Sequence, residues 1–235
     1  ELLDTFYPQG WRKSAILGLK ALIDKPLLFI TLLPFIESTL IDEIIVVLAE
    51  EDSNTFQDEI KSLSSSKIIK VVNGGATRQE SVYNGLIKTD ESSDLICIHD
   101  AVRPFVNEKL IKKSLEIIND HDGVILALPS FDTIKKVFDN QIVETLPRKE
   151  IWRAQTPQIF YKLPLLEALQ FAKSKNICGT DEASLLEKIG YQIGFVEGSP
   201  LNIKITTAED WIFAKAIYNY INQWLKQVSD MMLTN

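Results

Sequence analysis

Cysteine is scarce. Only Cys97 and Cys178 occur in 235 residues, far apart and without a CxxC spacing. That excludes a disulfide framework and a thiolate-held structural metal, and it suits a reducing compartment. Positive charge is not in surplus either, since 25 Lys and Arg against 32 Asp and Glu leave a formal net charge of −7. A general nucleic-acid binder needs a basic surface, so no nucleic-acid partner is expected. If a ligand is anionic, the cations that meet it must be gathered in one place. Long apolar runs are missing as well. No stretch approaches the roughly 18 uncharged apolar residues of a membrane span, and no membrane association is expected. The opening "ELLDTFYPQGW" lacks a basic segment followed by an apolar core, so no secretory signal is expected there. There is no internal repeat and no low-complexity linker.

What is present is alternation. Short β-branched runs at 42–49, 67–72, 94–100, 123–129, 191–198 and 202–207 read as strands. Helical patterns lie at 26–39, 52–64, 79–88, 106–119, 163–175, 181–189 and 207–225. Near-continuous apolar strands separated by helices predict an α/β fold with a mostly parallel sheet covered on both faces. Ligands in such folds bind beyond the carboxyl ends of the strands, so segments just after strands carry the chemistry. One segment breaks the pattern. "DTIKKVFDNQIVETLPRKEIW", residues 132–152, reads as two strands around an Asp139-Asn140 turn, a hairpin arm within a single domain spanning 1–235. An isolated two-stranded ribbon is marginal in water, so the arm is expected to pack on something, a second subunit being the natural candidate.

Four stretches carry candidate chemistry. In "NGGATRQESVYNGL", 73–86, Gly74 and Gly75 let backbone N–H groups approach a ligand, and Ser81 lies in the first turns of the following helix, where anions are favoured. Arg78 has two readings, a bridge to phosphate or a brace for the loop. The competing reading of the whole stretch is an ordinary glycine turn into a helix. In "IHDAVRPF", 98–105, Asp100 suits a metal or a sugar hydroxyl and Arg103 a bidentate phosphate contact, while a lone His99 reads better as structural than catalytic. In "LNIKITTAED", 201–210, Lys204 stands among β-branched residues, and Thr206 or Thr207 caps the next helix. A strand-end lysine reaching water is the plain alternative to a pocket lysine. "LPRKEIWRAQTPQIF", 146–160, adds Arg148, Arg153 and Thr156. Arg103, Arg148 and Lys204 together meet the requirement for gathered cations.

Taken in order, "GGATRQESVYNGL", "HDAVRP", Asp132-Thr133, Arg148 with Trp152, "AQTPQIF", "TDEASLLE" and "NIKITTAED" resemble the 2-C-methyl-D-erythritol 4-phosphate cytidylyltransferases. The resemblance runs from about Lys25 to about Ala216. Ribitol-5-phosphate cytidylyltransferases are a related alternative, from which "TDEASL" and "AQTPQ" lean away. The resemblance implies a doubly wound, Rossmann-like nucleotidyltransferase whose β-arm swaps into a partner, making a homodimer. It implies transfer of a CMP unit from CTP to a sugar-alcohol phosphate, with Mg²⁺ or another divalent cation on the triphosphate, in the cytoplasm (or the plastid stroma of a eukaryote). By position, Gly74, Gly75, Ala76 and Ser81 fall to the nucleotide. Asp100, Arg103, Thr133, Thr156 and Thr180 fall to the substrate, and Lys204 and Arg148 to positioning the reacting phosphates. Asp100 is also the one candidate metal contact. Thr133 and Arg148 are expected to reach in from the neighbouring subunit's arm.

The chain departs from that pattern at its start. A glycine-rich loop with an Arg, followed by Pro-Lys, is expected from about residue 4. The sequence there is "DTFYPQG", with Gly10 at the Arg position, Ile16 at the Pro position and Leu17 at the Lys position. Losing one preorganised donor costs about 10²–10³ in rate. Unless Arg12 or Lys20 substitutes, the departure has two readings, an out-of-frame or misassembled start and a catalytically impaired homologue that still binds ligand or partner.

Overall fold

The computed structural model describes residues 26–63 and 66–233; Gly10, Ile16 and Leu17, and with them the expected triphosphate loop, lie outside this range. Helix α1, Leu27–Glu37, leads into strand β1, Glu43–Leu48. Helix α2, Glu50–Lys61, crosses to strand β2, Ile68–Asn73, which pairs in parallel with β1 from Glu43↔Ile68 to Leu48↔Asn73. A parallel pair requires such a crossover. Helix α3, Arg78–Leu86, strand β3, Leu95–Ile98, and helix α4, Glu108–Ile117, follow. Then come strand β4, Gly123–Pro129, the hairpin β5, Lys135–Phe138, and β6, Gln141–Thr145, and the long strand β7, Trp152–Tyr161. Helices α5, Lys162–Lys175, and α6, Glu182–Lys188, strand β8, Ile193–Glu197, and helix α7, Ala208–Leu233, complete the order.

The second sheet runs β3-β7-β4-β8. Strand β4 is parallel to β8, whereas β7 runs against both β3 and β4, so the α/β sheet is mixed. Sequence periodicity does not find β7, because Gln155, Pro157 and Gln158 interrupt its apolar run. The register explains how a central strand tolerates the proline. Ile125 faces Gln158, but the next residue, Leu126, faces Gln155, so Thr156 and Pro157 bulge out of the β4 ladder. A bulge is where a missing N–H costs no ladder bond, and it re-aims the side chains it carries. The 202–207 run, conversely, is not a strand among the described residues: residues 203–206 take no regular secondary structure, and Ile205 N–H bonds to the Val102 carbonyl at 2.9 Å.

Strand alternation divides the core. Ile159 of β7 packs with Phe29, Leu32 and Phe35 of α1, with Ile44, Val46 and Leu48 of β1, and with Ile111 of α4. Its neighbour Phe160 turns to the opposite side, among Val82 and Leu86 of α3, Leu165 and Leu169 of α5, and Leu185 and Leu186 of α6. Helices therefore cover both sides, as the doubly wound expectation requires, and truncating a side chain as buried as Phe160 costs about 3–5 kcal/mol. Strands β1 and β3 each pair on one side among the described residues. Both border an apolar cavity of about 530 Å³, lined by Ile45, Val47, Ile96, Ile98 and Leu86.

The hairpin turns as its sequence predicts. Asp139 and Asn140 both take positive φ, 47° and 59°, the left-handed pair that suits a tight hairpin. Every side chain of β5 and β6 is exposed.

Candidate active site

The chemistry concentrates just beyond the carboxyl end of β3. Asp100 Oδ2 accepts from Lys204 Nζ at 3.0 Å and from Arg103 Nε at 3.3 Å. Arg103 Nη1 also donates to the Asn202 carbonyl at 2.8 Å. Burial alone raises a carboxyl pKa, but Lys204 and Arg103 more than offset it and hold Asp100 below the usual carboxylate range. Burial also pulls the Arg103 guanidinium below its ordinary value, against the attraction of Asp100. Two cations thus share one carboxylate beside a strand end, the kind of arrangement that favours an anion in an otherwise acidic protein.

Thr156 enters this cluster through the β7 bulge. Its hydroxyl oxygen accepts from Asp100 N–H at 3.0 Å and lies 3.0 Å from His99 Nδ1. Having accepted one bond, the hydroxyl gives its own hydrogen to Nδ1, which assigns the ring proton to Nε2. That nitrogen donates to the Arg103 carbonyl at 2.9 Å. Burial pushes the His99 pKa down to about 4, so the ring is neutral at neutral pH and serves as a spacer rather than a base. Asn202, fully buried, donates from Nδ2 to the Thr156 carbonyl at 2.8 Å. Sequence reasoning missed Asn202. The available signal was an uncapped Asn at the head of a β-branched run.

The glycine loop is braced differently from the expectation. Gly74 N–H continues the sheet, bonding to the Leu48 carbonyl at 2.8 Å, and Gly75 N–H bonds to Ser81 Oγ at 3.1 Å. Both N–H groups are therefore used within the chain. Gly75 is required for space, because a Cβ there would meet Glu80 Cβ at 2.3 Å. Ser81 is fully buried and donates to the Thr77 carbonyl at 2.9 Å, so its hydroxyl shapes the loop. Ala76 N–H bonds to Glu80 Oε2 at 2.7 Å, while Thr77 caps α3 by accepting from Glu80 N–H. Arg78 does not reach a phosphate position. It pairs with Glu182 through two bonds of 2.5 and 2.7 Å, choosing the brace over the bridge.

The remaining candidates are scattered by comparison. Thr180 is exposed at the head of α6, whose cap is Asp181, accepting from Ser184 N–H at 3.0 Å. Thr133 and Arg148 are exposed at the base of the arm, where Arg148 Nη1 donates to the Phe131 carbonyl at 2.8 Å. Nothing in this chain brings Arg148 to Asp100 among the described contacts. Trp152 packs on Phe195 of β8 with ring centroids 4.7 Å apart, anchoring the arm's return strand.

A divalent cation is a poor fit at Asp100. Its Oδ2 already serves two cations, and an ion there would have to displace both. Among the described residues no group of three or more His, Cys, Asp and Glu side chains is arranged to hold a metal. No described helix is long and apolar enough to cross a membrane.

Known proteins match this arrangement at two levels. Residues 17–220 match the family described as 2-C-methyl-D-erythritol 4-phosphate cytidylyltransferase. A protein of that name from Clostridioides difficile is 39% identical over 196 residues, covering 83% of each chain. Another from Syntrophus aciditrophicus is 43% identical over 193 residues, covering 81% of this chain and 82% of its own. The crystal structure of 4-diphosphocytidyl-2C-methyl-D-erythritol synthase from Anaerococcus prevotii superposes with a TM-score of 0.78 at 33% identity, covering 84% of this chain and 88% of that one. The Francisella tularensis cytidylyltransferase gives 0.73 at 37% identity, covering 83% and 89%.

Proposed function

The chain belongs to the 2-C-methyl-D-erythritol 4-phosphate cytidylyltransferase family, and from that premise we propose how its residues divide the reaction. It is a nucleotidyltransferase of isoprenoid precursor synthesis, joining the CMP unit of CTP to 2-C-methyl-D-erythritol 4-phosphate. An oxygen of the sugar phosphate attacks the α-phosphorus of CTP. The bond from that phosphorus to the bridging oxygen breaks, and pyrophosphate leaves with the electron pair. Such transfers need little beyond alignment and charge stabilisation.

The observation that carries the residue assignment is the shared Asp100 carboxylate with Arg103 and Lys204 converging on it. Lys204 and Arg103 receive the sugar phosphate and Lys204 extends to the α-phosphate, while Asp100 fixes both cations and offers Oδ1 to a substrate hydroxyl. Thr156 holds Asp100 in place, and Thr180 borders the substrate. The 74–77 loop receives cytosine: the Ala76 N–H becomes a base contact when Glu80 releases it, with Gly75 and Ser81 keeping the loop's shape. Mg²⁺ or another divalent cation arrives on the triphosphate oxygens and takes no carboxylate from the described residues.

The described residues are read as a single nucleotidyltransferase domain with the arm at 132–152, acting in the cytoplasm as a homodimer. Support for the dimer is the arm itself. It carries Val137, Phe138, Ile142 and Val143 more than half exposed, an apolar surface left open among the described residues. A partner's arm would bring Thr133 and Arg148 to the site that lacks them.

Pyrophosphate release from CTP, Mg²⁺ and 2-C-methyl-D-erythritol 4-phosphate tests the reading, with ribitol 5-phosphate in a parallel assay. Turnover with the first sugar phosphate is expected. No release at high enzyme concentration, or release only with ribitol 5-phosphate, would sink it. Among the described residues no observation favours an impaired homologue or the ribitol substrate.

A further inference from the structure

We propose that the buried Arg78–Glu182 pair is a positioning strut that couples the nucleotide loop to the substrate loop, so that each ligand binds more tightly when the other is present. The inference rests on the assignment of the 74–77 loop to the nucleotide and of Thr180 to the sugar phosphate.

Arg78 is the first residue of α3 and Glu182 the first of α6. Arg78 follows directly on the 74–77 loop and Glu182 on the loop that carries Thr180. The two side chains meet in a forked geometry, Nη1 to Oε1 at 2.5 Å and Nη2 to Oε2 at 2.7 Å, with Glu182 only 1% exposed. A second bond runs in parallel: Gly179 N–H donates to Gln79 Oε1 at 3.3 Å. A third secures the far side, where Gln158 Nε2 of β7 donates to Asp181 Oδ2 at 2.9 Å. Gln158 stands two residues beyond Thr156, on the strand that supplies the substrate cluster. Three elements distant in sequence are thus locked at one corner.

Stability alone is a weak reason for such a pair. Removing two charges from water is costly, and a well-packed apolar pair of similar volume often serves stability as well or better. What a guanidinium–carboxylate fork adds is fixed relative orientation. Burial opposes the charge on Arg78, yet Glu182 overcomes it and the guanidinium holds its proton more tightly than usual. Asp100 and Asp181 act in the same direction, which places Arg78 within electrostatic reach of both the Asp100 carboxylate and the α6 cap. Shifting α3 to admit a base therefore shifts α6 and Thr180 with it. A coupling of this kind is reciprocal by thermodynamic necessity.

The test is calorimetric titration of the full chain with 2-C-methyl-D-erythritol 4-phosphate, alone and with saturating CMP, which has no pyrophosphate to release. In the wild type, CMP lowers the sugar-phosphate Kd by about fivefold or more, and the sugar phosphate lowers the CMP Kd by the same factor. Arg78→Lys keeps the charge but loses the fork, and should bring that factor close to one while each ligand alone still binds. Glu182→Gln keeps the side chain's size but replaces one fork oxygen by an NH2 and should weaken the coupling, which keeps the proposal testable if Arg78→Lys does not fold. No coupling in the wild type overturns the strut. So does wild-type coupling in either variant, which would leave the pair a plain structural brace. Binding of neither ligand by the wild type would instead overturn the functional assignment beneath it.

Discussion

The cluster at the end of β3 and the arm at 132–152 contain the same kinds of groups, cations and hydroxyls, in opposite conditions. Asp100, Arg103 and Thr156 are buried, and each has its partners inside the chain. Thr133, Arg148 and all nine residues of β5 and β6 are exposed. The first region is finished by folding. The second presents Phe138 at 76% exposure on a two-stranded ribbon, and under the proposed dimer another surface would finish it. The difference locates fragility: a change in the cluster is felt by the fold, and a change in the arm by assembly.

Asp100→Ala is expected to do the most damage, because it leaves Arg103 and Lys204 without their shared counter-charge. Breaking a buried pair from one side costs about 3–5 kcal/mol, to be read from urea unfolding. A loss below about 1 kcal/mol would mean that the cluster is not a unit. Lys204→Ala, at the cluster's more open edge, should cost about 10²–10³ in kcat/KM with a smaller loss of stability. Near-normal turnover would remove Lys204 from the reaction. Deleting 134–146 should abolish dimerisation and leave thermal stability of the remaining chain almost unchanged. A mass measurement still showing a dimer would refute the swapped arm, and a large drop in Tm would erase the contrast between the regions.

The smallest effect is a pH slope. His99 is neutral in the folded protein, with a pKa near 4 against the ordinary 6.5. The unfolded chain binds the proton more readily, so the contribution is complete above pH 6.5 and is lost as the pH falls toward 4. Glu182, raised above its ordinary value chiefly by burial, works in the opposite direction as pH rises. The difference between wild type and His99→Gln isolates the histidine. The variant should show a shallower fall in Tm between pH 6.5 and 4, and parallel curves would show His99 to be protonated in the fold.

Much of this protein was legible along the chain. The run at 123–129 is a strand over those same residues, and most other elements lie within two or three residues of their periodic patterns. Local rules also place the Asp139-Asn140 turn, since it depends on neighbours a few residues away. The cations Arg103, Arg148 and Lys204 stood out as candidates for the same reason. Tertiary structure alone decided the rest. Strand β7 is a strand because β3 and β4 supply its hydrogen bonds on either side, and a bulge at Thr156-Pro157 removes the proline's penalty. Residues 203–206 fail to become one, despite their β-branched run, because their partners there are a turn carbonyl and a carboxylate. Arg78 finds Glu182 across more than a hundred residues. Propensity and capping act within a few residues of sequence, whereas a ladder partner, a bulge or a counter-charge exists only once the chain has returned to meet itself.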